Sequence, residues 1–493
     1  MAVLTIPAVV IGAGVNDLVA AHYLARAGYS VIVLEEYPSA DTDIGWVPAK
    51  IVRDLGLEAH GLMVDHPDPW VAAPLPDGGR LELARDVPRS AAALARVSPR
   101  DASKWPEFCA RMAQLADVLV ALYAEPPPDP LARGAEEWMR LAKTALRTRW
   151  LGRRGMTDLF RLLPMPCADW LDDWFENDTL KGLLAAAGVA HIQQGPRSGG
   201  TAFRLLHQHA GSPPGVFRPP RSNLRRVLAG LPGIHVRHGA AVARIVVRGG
   251  CAAGVVLADG EEIATPLVVS GADPRRTLLT LLEPGSLDPE FARAVGNIRA
   301  RGVAARVNLT LEHEPGFSTL VVAPSLDYLE RAYDAVKYRR VSPQPYFEAC
   351  HDGTDAAGRQ RLAVHVQYAP YALADGKWDA ARSAALTDTV VDTLAQHVPA
   401  LAGVIVERNV FTPPDLERLH GWPEGQPHHA ELAPDQAFWM RPLPELARYR
   451  TPIRGLYLCG PAMHPGAGVA GASGAHAARA ILRDREGGKL AHS

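Results

Sequence analysis

The stretch "VVIGAGVNDLVAAHYLARAGYSVIVLEE", residues 9–36, constrains this chain more than any other. It opens on the end of "PAVVIG", a β-branched apolar run that reads as a buried parallel strand. Gly12 permits a tight turn, and Gly14 lets a diphosphate approach the backbone where a helix begins. "NDLVAAHYLARAG" sets Leu18, Val19, Ala21, His22, Leu24 and Ala25 at helical spacing, and Gly28 stops the helix. "SVIVLE" is a second buried strand. It ends on Glu35, a carboxylate placed to accept hydrogen bonds from ribose hydroxyls. This strand–loop–helix–strand unit predicts dinucleotide binding.

One position departs from the pattern. Asp17 stands where a third glycine normally lets the helix pack closely on the strand. Two outcomes are open. Facing the diphosphate, Asp17 would oppose it by about 4 kcal/mol, the interaction of unit charges ~4 Å apart at an effective dielectric near 20. Turned outward in the first helical turn, it would complement the helix dipole.

The chain closes with "GLYLCGPAMHPGAGVAGASGAHAARAILRD", again strand, glycine loop and helix. The expected fold is therefore α/β, with one Rossmann-like nucleotide-binding domain assembled from both chain ends. We assign it residues 1–60, 222–280 and 445–493. A mixed-sheet substrate domain takes 61–221 and 281–444, with a helical portion at about 90–210. "LPDGGRLEL" predicts a hairpin turning at Asp77-Gly78-Gly79. The runs "HVRHG", "VARIVVRGG", "AAGVVLADG" and "EEIATPLVVSG" predict a small antiparallel meander. "GVAARVNLTLEHEP" reads as a strand and "ARSAALTDTVVDTLAQHV" as a long helix.

Composition excludes several classes. With 52 basic and 53 acidic side chains among 493 residues, no global field points to nucleic acid. The five cysteines are scattered with no CxxC pair, against a dithiol couple, a zinc knuckle or a secreted disulfide framework. There is no basic leader and no apolar run of ~18 residues, so no membrane span is expected and the expected compartment is the cytoplasm. There is no GxSxG elbow, P-loop or HExxH. Without a second complete GxGxxG, oxygen or a quinone is a more natural electron acceptor than a nicotinamide.

The residue 9–36 stretch, with "LDDWFENDTLKGLLA", "VQYAPYALADGKWD", "FTPPDLERLHG" and the C-terminal glycine segment, resembles the FAD-dependent phytoene-desaturase-like and amine-oxidase-like oxidoreductases. Within them the chain is most similar to the pyridine nucleotide-disulfide oxidoreductase domain-containing protein 2 branch, over nearly its whole length. The resemblance implies a glutathione-reductase-type FAD domain, a substrate domain over the flavin, and hydride transfer from a mostly apolar small molecule. It implies that Gly12, Gly14 and Glu35 hold the ADP half of FAD and that Val242 offers backbone groups to the adenine. Gly460 would lie near the phosphates or ribityl chain, and Gly466, Gly468 and Val469 at the pyrimidine edge. The helix starting near Gly471 would aim its positive end at the flavin O2.

The flavin-facing motifs depart from that family. The paired-glycine segment expected after Glu35 is absent from "EYPSADTDIGWVPAKIVRDLGLE", and Pro219, Pro220 and Arg221 replace a second glycine pair. An alternative therefore stands beside the redox reading: a flavin-fold protein that has lost productive FAD binding and serves as an isomerase or cyclase, a pseudoenzyme subunit or an apolar-ligand carrier. Dimerisation, pairing with a paralogue and peripheral membrane contact all remain open.

Candidate side chains carry bland readings beside functional ones. His464 sits in the C-terminal glycine loop and is a catalytic candidate or a loop histidine bonding a carbonyl. Tyr368 and Tyr371 line a pocket or are ordinary core aromatics, as are Phe438 and Trp439. Arg221, Arg225 and Arg226 bind an acidic group or form a solvated face. His428 and His429 are adjacent, so on a strand they point to opposite faces, and no metal site is expected.

Overall fold

The computed structural model describes residues 6–37, 43–128, 134–401 and 403–488. Part of the segment that lacks the paired glycines, residues 38–42, lies outside them. The N-terminal run forms strand β1 (Ile6–Ile11), helix α1 (Val15–Arg26) and strand β2 (Tyr29–Glu35). Val9, Val10, Val31, Val33 and Leu34 are buried, as expected for a parallel sheet covered on both faces. The sheet runs in the order Leu456–Leu458, Val268–Ser270, β1, β2, His235–His238, every pair parallel. Its strands thus come from both ends of the chain and from the middle. The C-terminal helix Ala472–Glu486 packs on α1 so closely that a Cβ on Gly474 would lie 1.9 Å from the Asn16 carbonyl oxygen.

The predicted meander is only partly antiparallel. Val242–Arg248, Cys251–Leu257 and Glu262–Ala264 form the antiparallel sheet. The flanking runs instead join the parallel sheet. Val268, Val269 and Ser270 are all buried, a continuous run with no exposed face to alternate. His235–His238 adds to the open edge of β2, and its alternation looks the same whichever partner it takes.

A seven-stranded mixed sheet forms the second layer. It runs Ile405–Phe411, Ala304–Leu311, Gln360–Gln367, Phe347–Thr354, Thr319–Val322, Val71–Pro74, Arg80–Leu83. Its last two strands are the expected hairpin, with Val71 opposite Leu83. One face packs on the long helix Ala380–His397 through Leu386, Val390 and Leu394. The other meets helices drawn from residues 87–209. A small sheet joins the two layers: Asp43–Trp46 pairs with Gly468–Val469 and with Arg221–Ser222, which also pairs with Val64–Asp65. Among the described residues no helix is long and apolar enough to cross a membrane.

Candidate functional site

The N-terminal loop begins where β1 runs out. Gly12 takes φ +102°, a left-handed conformation that favours glycine, and its N–H donates to Leu34 O at 2.9 Å. Gly14 caps α1. Asp17 follows neither of the two expected courses. It is 6% exposed and turns inward under the loop. Its carboxylate accepts from the Gly14 N–H at 2.9 Å and from the Cys459 thiol at 3.3 Å. The space that a third glycine would leave is supplied across the sheet by Gly271, where a Cβ would lie 1.9 Å from Asp17 Oδ1. Burial raises the Asp17 pKa to about 6 against the lowering effects of Gly14, Cys459 and Arg225.

Glu35 ends β2, buried, and accepts from Arg225 Nη2 and His238 Nδ1. Arg225 also donates from Nε to Ala13 O at 3.0 Å, and its backbone N–H donates to Asp43 Oδ2 at 2.7 Å. Of the three arginines read as an acid-binding group, Arg225 therefore bridges the glycine loop to the end of β2. Arg221 instead reaches Asp65, Asp352 and the His351 carbonyl.

The C-terminal loop closes against the same place. Cys459 N–H donates to Ser270 O at 2.8 Å, and a Cβ on Gly460 would lie 2.3 Å from Gly271 O. Gly466 packs on the Arg441 guanidinium, and Gly468 pairs with Gly45. His207 Nε2 donates to Ala467 O at 2.7 Å while its Nδ1 accepts from the Tyr123 hydroxyl at 2.8 Å, which fixes one neutral tautomer. Burial pulls the His207 pKa to about 3. Val469 is buried beside Trp46, and Val242 begins its strand buried opposite Leu257.

The remaining candidates are held in place by their surroundings. His464 is buried, bonds Leu122 O through Nε2 at 3.3 Å, and has its pKa drawn to about 3 by burial and His476. At neutral pH it is a very weak base. Tyr368 donates to Gln194 O at 2.6 Å, and burial holds its pKa well above 10, so the phenol keeps its proton. Tyr371 donates to Glu417. Trp439 is exposed and Phe438 packs on Phe203. His429 faces Gly271, and His428 points the other way, towards His191. Among the described residues no group of three or more His, Cys, Asp or Glu is placed to hold a metal.

The residues around the first loop suit the ADP portion of a flavin dinucleotide. Asn16 Oδ1, Ser222 Oγ and His429 Nδ1 are buried polar atoms with no partner, and they surround the loop, the Arg225 segment and Gly271 respectively. Buried polar atoms are normally satisfied, so an unpartnered atom on each of these three segments fits a polar ligand. A model of the family described as FAD dependent oxidoreductase matches residues 8–193. Over 97% of this chain and 93% of the relative, the sequence is 29% identical to rat pyridine nucleotide-disulfide oxidoreductase domain-containing protein 2. Both likenesses are to FAD-dependent oxidoreductases. The chain is also 27% identical to hydroxyneurosporene desaturase of Cereibacter sphaeroides, over 97% of each chain. The fold matches that of putrescine oxidase at a TM-score of 0.59 and 15% identity, covering 98% of this chain and 99% of that one. These matches favour retention of FAD over its loss.

Sequence reasoning missed a buried polar layer beside this site. Arg204 is buried in it, and His191, His365, His428, Arg218 and Glu348 are half-buried. His365 and Gln367 alternate along one strand, as do Glu348 and Cys350 along its neighbour, so each pair shares a face. Polar residues at period two, on strands otherwise apolar, were the available signal.

Proposed function

We propose that this oxidoreductase takes hydride from a mostly apolar small molecule, with Gly12, Gly14 and Glu35 on the ADP half of FAD, Val242 at the adenine, and Gly460, Gly466, Gly468 and Val469 along the ribityl and flavin end. The domain division at residues 1–60, 222–280 and 445–493 belongs to the same proposal. FAD, when bound, supplies the electron-accepting chemistry. The chain's own residues bind, orient and exclude water. His207 holds the Ala467 carbonyl and so fixes the loop that would line the flavin edge. Neither His464 nor Tyr368 is assigned a proton transfer. Arg225 must release Glu35 for a ribose to reach it, and the Ala13 carbonyl keeps it beside the loop.

The observation that carries this reading is the meeting of the two terminal glycine loops at Gly271, with Gly460 on one side and Asp17 on the other. An apolar substrate is supported by the likeness to hydroxyneurosporene desaturase of Cereibacter sphaeroides. The test is the visible spectrum of the purified protein: flavin bands at about one FAD per chain are expected. A colourless protein that gains no thermal stability from excess FAD would sink the reading.

Apolar substrates partition into lipid, and one face suits that source. Trp138, Met139, Leu146 and Trp150 on helix Ala135–Trp150, and Phe160 on helix Gly152–Leu162, are 52–76% exposed. Lys143, Arg149, Arg153 and Arg154 stand exposed among them. Exposed aromatics with basic neighbours fit peripheral contact with an anionic bilayer. Sedimentation with phosphatidylglycerol vesicles should carry the protein down, and Trp150→Ala with Trp138→Ala should weaken it several-fold.

A further inference from the structure

Helix Pro99–Tyr123 ends against helix Ala135–Trp150, and a groove of about 550 Å³ lies between them, partly open to solvent. Val118, Ala121 and Leu122 of the first helix make one wall apolar. The other wall is basic. Arg140, Lys143 and Arg147 follow one another at three and four residues, so they share one face of the second helix, and all three line the groove. Among the described residues Glu125 is the one carboxylate in the lining. It lies 3.9 Å from Lys143, and an exposed pair at that distance is weak. Glu137 lies 3.9 Å from Arg140, but both its oxygens accept from Arg448, at 2.9 and 2.6 Å. Three cations therefore face a single carboxylate across the lining.

Both walls are tied to the C-terminal part of the chain. The Glu137–Arg448 pair holds the basic helix. The last carbonyls of the other helix, Leu122 O and Tyr123 O, accept from His464 Nε2 at 3.3 Å and His476 Nε2 at 3.0 Å. The groove also borders an exposed apolar strip. Met139, Leu146 and Trp150 are exposed on the basic helix. Met139 and Leu146 lie four and three residues from Lys143, and Trp150 lies three from Arg147, so the strip runs beside the basic row.

We propose that this groove seats the phosphate of a single anionic phospholipid, with Lys143, Arg147 and Arg140 as its counter-ions and the acyl chains laid along Met139, Leu146 and Trp150. The class follows from volume and pattern. A groove of this size takes a ligand of many atoms and not a bare phosphate or carboxylate. The basic row runs roughly 10 Å along the helix axis, at the usual rise per residue. Arginine and lysine together suit a phosphate oxygen cluster. Cations beside exposed apolar side chains match the boundary between lipid head groups and chains. The inference rests on the membrane-contact reading of this face and adds a defined seat to a surface that would otherwise attract an anionic bilayer by charge alone.

The test is calorimetric titration of the FAD-loaded protein with monomeric dihexanoylphosphatidylglycerol, with dihexanoylphosphatidylcholine and with inorganic phosphate. Phosphatidylglycerol should bind at about one per chain and at least tenfold more tightly than the other two. Lys143→Gln with Arg147→Gln should weaken it at least tenfold. Arg149→Gln with Arg153→Gln removes the same charge from exposed residues outside the groove lining and should weaken it less than twofold. Equal binding of the two lipids would overturn the proposal by showing an apolar groove alone. So would phosphate binding as tightly as phosphatidylglycerol, which would mark a free-anion site, or equal losses in the two double variants, which would mark diffuse surface charge. Sedimentation with phosphatidylglycerol vesicles separates this inference from the reading beneath it. Vesicle binding with no binding of the monomeric lipid would keep membrane contact and remove the seat, whereas the reverse would keep the seat and remove membrane contact.

Discussion

Asp17 and Arg204 are both buried charges that a sequence pattern would not place inside a protein, and the structure treats them oppositely. Asp17 is enclosed and fully engaged, by a loop amide and a thiol, with Gly271 cleared to admit it. Arg204 is enclosed and left with its Nε–H unpartnered, near a second buried arginine. The first arrangement builds the loop, whereas the second leaves a charge in the interior without a counter-ion among the described residues. Burial alone does not mark function, and the hydrogen bonds left unmade do.

The comparison breaks most sharply at Gly271. Its backbone is not in the left-handed region, so an alanine there meets only a steric obstacle, Asp17 Oδ1 at 1.9 Å. Gly271→Ala is expected to cost about 3 kcal/mol or more as an overpacked core. Adding Asp17→Gly should return most of the thermal midpoint. A single variant as stable as the parent would mean that Asp17 does not occupy that space.

A smaller effect tests whether Asp17 is truly buried. Its pKa rises from 3.8 to about 6 on folding, so the native state holds the proton more tightly. Stability from this group is therefore greatest below pH 3.8, falls as pH rises to about 6, and is level above. Two pK units correspond to about 3 kcal/mol. Asp43, also raised to about 6 by burial, acts in the same direction. Asp17→Asn should flatten the decline in melting temperature between about pH 4 and pH 6 without abolishing it. An unchanged slope would put the carboxylate in water.

The smallest effect concerns Tyr368. Tyr368→Phe loses one hydrogen bond to Gln194 O and should cost about 1 kcal/mol. Flavin reduction by substrate should change less than about threefold, since no proton transfer is assigned to the phenol. A hundredfold loss would make it catalytic.

Much of the fold was legible because its signals are local. The glycine turn at Gly12, the continuous apolar strands of the βαβ unit, the hairpin at Asp77-Gly78-Gly79 and the helix Ala380–His397 each follow from residues close together in the chain. The partners of His235–His238 and Val268–Ser270 did not, because strand pairing is decided at long range. The course of Asp17 was equally hidden. It depends on Gly271 and Cys459, hundreds of residues away in sequence. Arg204 was missed for a related reason. In "TAFRLLHQH" every residue from Thr201 to His207 is buried, so this helix shows no polar face by which an interior arginine could be told from an exposed one.

The most direct test returns to the altered glycine. FAD affinity is measured by flavin fluorescence for the parent protein and for Asp17→Gly, at the same pH and salt. With Asp17 turned under the loop and spent on Gly14 and Cys459, the two dissociation constants should agree within about threefold. A carboxylate facing the diphosphate would instead oppose it by about 4 kcal/mol, so Asp17→Gly would bind FAD roughly a thousandfold more tightly, and that result would contradict the account.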